Sequence, residues 1–177
     1  MAFFFFTKTK LVFKLINCIF ELMIKKTYDI KYAIERLKHY CVLQDKCHWD
    51  IKQKMQKWNL TQVSQDHILE LLIKEKYIDE ERYTRSFCRG KFKIKKWGKQ
   101  KIVNELKKKH ISDIYINKGL QEINETEYQK TLEYQYQKKH KSIKTRNRFI
   151  KKKKIATYLI NKGYESNLVW DKLRELE

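Results

Sequence analysis

The side chains in this chain best equipped to do chemistry are its cations. Between residues 85 and 109 stand Arg85, Arg89, Lys91, Lys93, Lys95, Lys96, Lys99, Lys101, Lys107, Lys108 and Lys109, against a single acid, Glu105. Residues 138 to 154 hold ten Lys or Arg and no acid, among them Arg146, Arg148, Lys151, Lys152, Lys153 and Lys154. A single lysine ordinarily just solvates a helix face. Runs as one-sided as these repel themselves unless an anion lies close, so together they point to phosphates or carboxylates on a partner. Guanidinium forks grip such groups in two places, which singles out Arg85, Arg89, Arg146 and Arg148. The whole chain carries 41 Lys and Arg against 21 Asp and Glu, a formal charge of +20 over 177 residues. A nucleic acid, a nucleoprotein or an anionic membrane surface is the partner that such a charge predicts.

Other chemistry finds no support. Gly98-Lys99-Gln100 is no phosphate-binding Walker loop, because Lys93 stands where the first glycine belongs and Gln100 has no metal-binding hydroxyl. No HExxH, GxSxG or Cys-His arrangement with an orienting acid occurs, so the chain is expected not to be an enzyme and to need no cofactor or metal. His39, His48, His67, His110 and His140 are scattered and read as surface or cap residues. Cys18, Cys41, Cys47 and Cys88 form no CxxC pair and read as reduced thiols of a cytoplasmic protein. Tyr83, Phe87, Phe92, Trp97, Tyr134, Tyr136 and Phe149 interleave the basic runs and could stack on bases. However, Tyr83 and Phe87 are four apart, the spacing of helix packing, which is the favoured reading. Trp49, Trp58 and Trp170 likewise read as packing between helices.

The elements that must position these cations read as helices. With 42% hydrophobic residues the chain should fold, and zero Pro with four Gly excludes hairpin-dense β designs. Tyr32, Ala33, Leu37 and Tyr40 mark one face of a first helix. Beyond a connecting loop around Asp45 to Cys47, a second carries Ile51, Met55 and Trp58, and a third Ile68, Leu69, Leu71 and Leu72. The unit then recurs. Ile51, Met55 and Leu60 have the spacing of Ile102, Leu106 and Ile111, and again of Ile155, Leu159 and Tyr164, at intervals of 51 and 53 residues. Leu69, Leu120 and Leu173 each follow nine residues after their trio. Units of about 50 residues bury little core alone and must stack on neighbours. The expected architecture is all-α: an elongated, curved array of three tandem three-helix repeats over 28–78, 79–124 and 125–177. Asp79 with Glu80 and Glu81 reads as a helix N-terminus, and Ser64 and Ser112 as caps of third helices. Lys107, Lys108 and Lys109 suit a helix C-terminus, and Gly163 a left-handed position closing another.

Residues 1–27 stand apart. Their apolar run is broken by Lys8, Lys10, Lys14 and Glu21, too short between charges to span a bilayer, and it makes a poor secretory signal. It reads as an interfacial helix, as an extra packing helix, or as sequence upstream of a start at Met23.

Tyr77 to Thr84 (YIDEERYT), Trp97 to Ile102 (WGKQKI) and then Glu105-Leu106 together resemble the central signature of the RecX regulatory proteins. Lys152 to Tyr164 (KKKIATYLINKGY) is similar to that family's last repeat, and Tyr40-Cys41 through Lys46-Cys47 and Ile51 to the first repeat of some members. Glu80 stands where Asp is frequent, Tyr83-Thr84 where Phe-Ala is usual, and Lys46-Cys47 in place of Arg-Ser. The resemblance implies a regulator of RecA that lies in the groove of the RecA–DNA filament, touching several protomers and sometimes DNA, and that suppresses strand exchange and ATP hydrolysis. On that implication a monomer would meet RecA acids or DNA phosphates through Arg85, Arg89, Lys93, Lys96, Lys99 and Lys101 of the middle unit. Arg146, Arg148, Lys151, Lys152, Lys153 and Lys154 would do the same from the third unit. The competing readings are an autonomous helical nucleic-acid-binding protein without RecA, and a peripheral membrane protein anchored by residues 1–24.

Overall fold

Polar side chains at helix starts punctuate the chain as the charge and capping pattern requires. Asp29, Thr61, Asp79, Asn124 and Asn147 each accept a backbone N–H two or three residues on, satisfying a donor that the helix itself cannot. The computed structural model describes residues 29–174, so the readings made for residues 1–27 fall outside the described residues. The described residues form α1 (Ile30–Leu43), α2 (His48–Gln56), α3 (Gln62–Lys74), α4 (Glu80–Lys93), α5 (Lys99–Lys107), α6 (Asp113–Leu120), α7 (Glu125–Ser142), α8 (Arg148–Lys162) and α9 (Ser166–Arg174), with no strand among them.

The helices fall into three consecutive trios, and their main helix-to-helix contacts lie within each trio. The repeated hydrophobic positions are the reason. Ile51 and Met55 of α2, Ile102 and Leu106 of α5, and Ile155 and Leu159 of α8 are all buried. Ile111, Tyr164, Leu69 and Leu173 are buried with them, while Leu60 and Leu120 are half-buried against the same cores. The first trio closes around Leu37, Ile51, Met55, Ile68 and Leu72. The second and third share one core, crossed by a chain of tilted rings in which Phe92 and Tyr164 flank Tyr128 at 5.9 and 5.4 Å. Units that bond to their neighbours in sequence make an elongated, all-helical tandem array.

Two details differ from the expectation. The cap of α3 is Thr61, whose hydroxyl accepts from Ser64 N, because the helix begins a turn earlier than the apolar periodicity suggested. Tyr32 is 48% exposed; Ala33, Leu37 and Cys41 carry the buried face of α1 instead. Gly163 does take the left-handed conformation, φ 93°, at the end of α8.

The two joints between units are built differently. The first is ionic: Arg82 Nε meets Asp45 at 2.9 Å, His48 Nδ1 meets Glu80 at 2.5 Å, and Lys109 Nζ meets Asp50 at 2.5 Å. The loop around Asp45 to Cys47 therefore does more than connect, and Cys47 is buried in the core of the following units. The second joint is backbone on backbone. Gly98 N donates to Lys162 O at 2.9 Å and Gln100 N to Gly163 O at 3.0 Å, while Tyr128 OH donates to Glu165 at 2.6 Å. This interlock brings the loop before α5 against the end of α8, and with it the basic residues of both.

Candidate functional site

The middle unit presents its cations from α4 and α5, and the structure sorts them into two groups. The first group is neutralised. Arg85 reaches Glu122 at 2.6 Å with Nη1 and Glu81 at 3.0 Å with Nη2; Arg89 takes the other oxygen of Glu122 at 2.9 Å, and Lys118 the other oxygen of Glu81 at 2.6 Å. These bonds, from Lys118 then Arg85 on Glu81 and from Arg89 then Arg85 on Glu122, hold both carboxyls below the usual carboxylate value. The guanidinium forks expected to grip a partner are thus occupied in tying α4 to the end of α6. Lys99 is similarly taken by Glu125 at 2.6 Å.

The second group has no such partners. Among the described residues, Lys91, Lys93, Lys95, Lys96 and Lys101 form no ion pair, and neither do Lys138, Lys139 and Lys162 of the third unit. Several of them meet across the second joint. Lys162 Nζ donates to Lys95 O and Lys101 Nζ to Asn161 O, both at 3.3 Å. Lys91 and Lys101 lie over the ring of Trp97 at 5.0 and 4.8 Å, and Lys139 and Lys162 over Tyr158 at 5.2 and 5.8 Å. Partial burial, then the charges of Lys138 and Lys101, lower the Lys162 pKa. The like charges of Lys138 and Lys101 thus add to a burial that already disfavours the charged form of Lys162. The ring faces offset part of this penalty, because an aromatic quadrupole attracts an ammonium held above it.

The four successive lysines of α8 do not make one patch, because consecutive helical residues wrap around the axis. Lys153 and Lys154 line a hollow with Lys139, Ile150 and Tyr158, next to the crowded band. Lys151 and Lys152 line another with Arg146, Arg148, His140 and Tyr136. Arg146 and Arg148 are exposed and form no ion pair among the described residues. Of the expected contact residues, Lys93, Lys96, Lys101, Lys153 and Lys154 form no ion pair among the described residues, Lys101 feeling Glu105 only at longer range. Lys162 was missed because it lies outside both runs; the basic-Gly-aromatic turn at its C-terminal side was the available signal.

The aromatics divide as well. Tyr83, Phe92 and Tyr136 are buried and serve packing, as does Trp58, but Trp170 is 45% exposed and Phe149 76%. Among the described residues no group of His, Cys, Asp and Glu converges on a metal site, and no helix is long and apolar enough to cross a membrane.

Comparison with known proteins gives a consistent result. The family model described as RecX, second three-helix domain, matches residues 79–120, and that described as RecX, third three-helix domain, matches 125–173; together they take in just over half of the chain. Regulatory protein RecX of Clostridium acetobutylicum is 27% identical over 149 residues, covering 82% of this chain and 69% of that protein. The Streptococcus uberis protein of the same name is 26% identical over 152 residues, which span 82% of this chain but only 56% of the relative. That of Prosthecochloris aestuarii is 24% identical, with 84% and 95% covered. Among solved structures, a regulatory protein RecX superposes with a TM-score of 0.74 at 20% identity over 82% of this chain and 73% of that one. RecX from Lactobacillus salivarius gives 0.69 at 18% identity over 83% and 97%.

Proposed function

Because the chain belongs to the RecX family of regulatory proteins, we propose that it binds the RecA–DNA filament and restrains the recombinase. The reading places it in the cytoplasm as a monomer that tempers recombination and repair, with any effect on ATP hydrolysis exerted through RecA. One observation carries the reading. The cations gathered at the second joint, Lys91, Lys95, Lys101 and Lys162, form no ion pair among the described residues, Glu105 acting on Lys91 and Lys101 only from beyond bonding distance, although acids elsewhere in the protein are closely paired. A polyanion approaching this band relieves repulsion already present in the free protein, so binding is favoured before any specific contact is made. An elongated row of units offers such cations in succession, which suits a partner that is itself a polymer carrying phosphates and acidic side chains.

In this reading the band, with Lys93, Lys96, Lys153 and Lys154 on its flanks, makes the contacts. Arg85 and Arg89 keep α4 and α6 in place behind it. Lys99 is half-buried and bonded to Glu125, and contributes by holding the start of α7. The test is a titration of the chain into the cognate RecA on single-stranded DNA, following ATP hydrolysis. Hydrolysis should fall at amounts of the chain below one per RecA protomer. Unchanged hydrolysis together with tight binding to bare DNA would favour an autonomous nucleic-acid-binding protein instead.

A further inference from the structure

One side of α4 carries a stripe at helical spacing that runs from buried Tyr83 through half-buried Phe87 and Gly90 to exposed Ile94, and the third member has no side chain. Glycine is the poorest helix former after proline, and Gly90 lies in the last turn of α4, three residues before the helix ends at Lys93. Neither of the usual reasons for it applies. Its φ is not positive, and a Cβ built there would meet nothing within 4 Å. The space left above Gly90 belongs to a groove of about 340 Å³ between the α1–α2 loop of the first unit and α4 of the second. That volume falls at the lower end of small-ligand sites, about 300–1,000 Å³.

The groove is basic and partly apolar. Lys46, Lys91 and Lys95 line it and form no ion pair among the described residues. Its carboxylates are already spent, Asp45 on Arg82 and Asp50 on Lys109. Half-buried Phe87 forms one wall beside Gly90, and Ile94, 76% exposed, sits at the rim. Lys91 lies between the rings of Phe87 and Trp97, 5.0 Å from each, so the groove runs into the cation band at the second joint.

We propose that this groove receives one base of a single-stranded nucleic acid, laid over the bare backbone at Gly90 and against Phe87, with the flanking phosphates on Lys46, Lys91 and Lys95. A bare helix surface flanked by an aromatic side chain suits a flat ring, and three unneutralised cations suit the strand that carries it. The same cations would hold an acidic peptide, but its carboxylates alone make no use of the open floor at Gly90 beside Phe87, whereas every nucleotide brings a flat ring with its phosphate. The inference deepens the polyanion reading and rests on it.

Two probes separate the inference from the reading: a short oligothymidylate, and an abasic sugar–phosphate strand of the same length and charge. The wild-type chain should bind the oligothymidylate about 10-fold more tightly, the stacking contribution of a single base. Gly90→Leu, which fills the groove, should bring both strands to the same affinity while leaving the salt dependence unchanged. Gly90→Ala should raise the melting temperature, since helix propensity improves and nothing clashes, and should reduce the preference for the base-bearing strand. Equal binding of the two strands by the wild type, or a preference that survives Gly90→Leu, overturns the base site and leaves the polyanion reading standing. Failure of the wild type to bind either strand overturns the base site and removes nucleic acid from the polyanion reading, leaving RecA's acidic side chains to be tested separately.

Discussion

Replacing Gly98 with alanine should separate the second unit from the third. A Cβ at that position would lie 2.1 Å from both the carbonyl carbon and the oxygen of Gly163, and 2.3 Å from Tyr164 N. Ordinary carbon contacts sit at about 3.5–4.0 Å, and these neighbours are backbone atoms that no rotamer change can move. Relief requires the start of α5 to back away from the end of α8. That movement breaks the hydrogen bonds from Gly98 N to Lys162 O and from Gln100 N to Gly163 O. Two such bonds are worth about 1 kcal/mol each, and overpacking adds about 1–3 kcal/mol. A loss of about 3–5 kcal/mol, at about 2–4 °C per kcal/mol for a chain of this size, lowers the melting temperature by roughly 10 °C. The assay is thermal and urea unfolding followed by circular dichroism, with oligonucleotide binding measured on the folded variant. Because Lys95 and Lys162 meet across the same joint, binding should weaken together with stability. A Gly98→Ala variant that melts within about 2 °C of wild type would refute the interlock, since a clash of that size cannot be thermally silent.

Other expectations follow from the same contacts. Glu81, Glu105, Glu122 and Glu125 have folded-state pKa values lowered chiefly by bonds from Lys118, Lys108, Arg89 and Lys99 respectively, below the ordinary 4.5. Groups shifted that way stabilise the fold above pH 4.5 and lose the contribution as pH falls through their folded values, so the urea midpoint should drop on acidification. Glu81→Gln with Glu122→Gln should lower the midpoint at pH 7 and flatten that drop; an unchanged acid profile would count against the ion cluster. Burial pushes the Cys41 and Cys47 thiols up to about 11 and that of Cys88 to about 12, so alkylation at pH 8 should spare all three until the chain unfolds. Mass-spectrometric labelling of any of them in the native protein would contradict the packing. If about six cations neutralise phosphates of duplex DNA, log K should fall against log salt with a slope of roughly −5, whereas a slope near zero would remove phosphate contact from the account.

The helices and the recurrence of the trios were legible because burial leaves a direct trace in residue spacing. Ile102, Leu106 and Ile111 are inside for the same reason that Ile155, Leu159 and Tyr164 are. What charge pattern cannot reveal is which cations are neutralised, since their acids arrive from elsewhere in the chain. Glu122 lies 37 residues beyond Arg85, and Lys162 meets Lys95 across 67. Nor does the run from Lys151 to Lys154 show in its letters that it parts into two hollows, since adjacent letters hide the rotation of a helix. The first joint was underestimated on similar grounds. Asp79 caps α4 with Glu80 and Glu81 in its first turn, as the sequence reads, but Glu80 also holds His48 of the preceding unit, and Glu81 holds Arg85 and Lys118.

The central claim is that unpaired lysines at the second joint, rather than the paired arginines of α4, engage the filament. It is tested most directly by the concentration of chain needed to halve RecA's DNA-stimulated ATP hydrolysis, compared between wild type and the triple variant Lys95→Gln, Lys101→Gln, Lys162→Gln. Removing three phosphate or carboxylate contacts should raise that concentration by about 10-fold or more without altering helicity. A triple variant as potent as wild type would contradict the account.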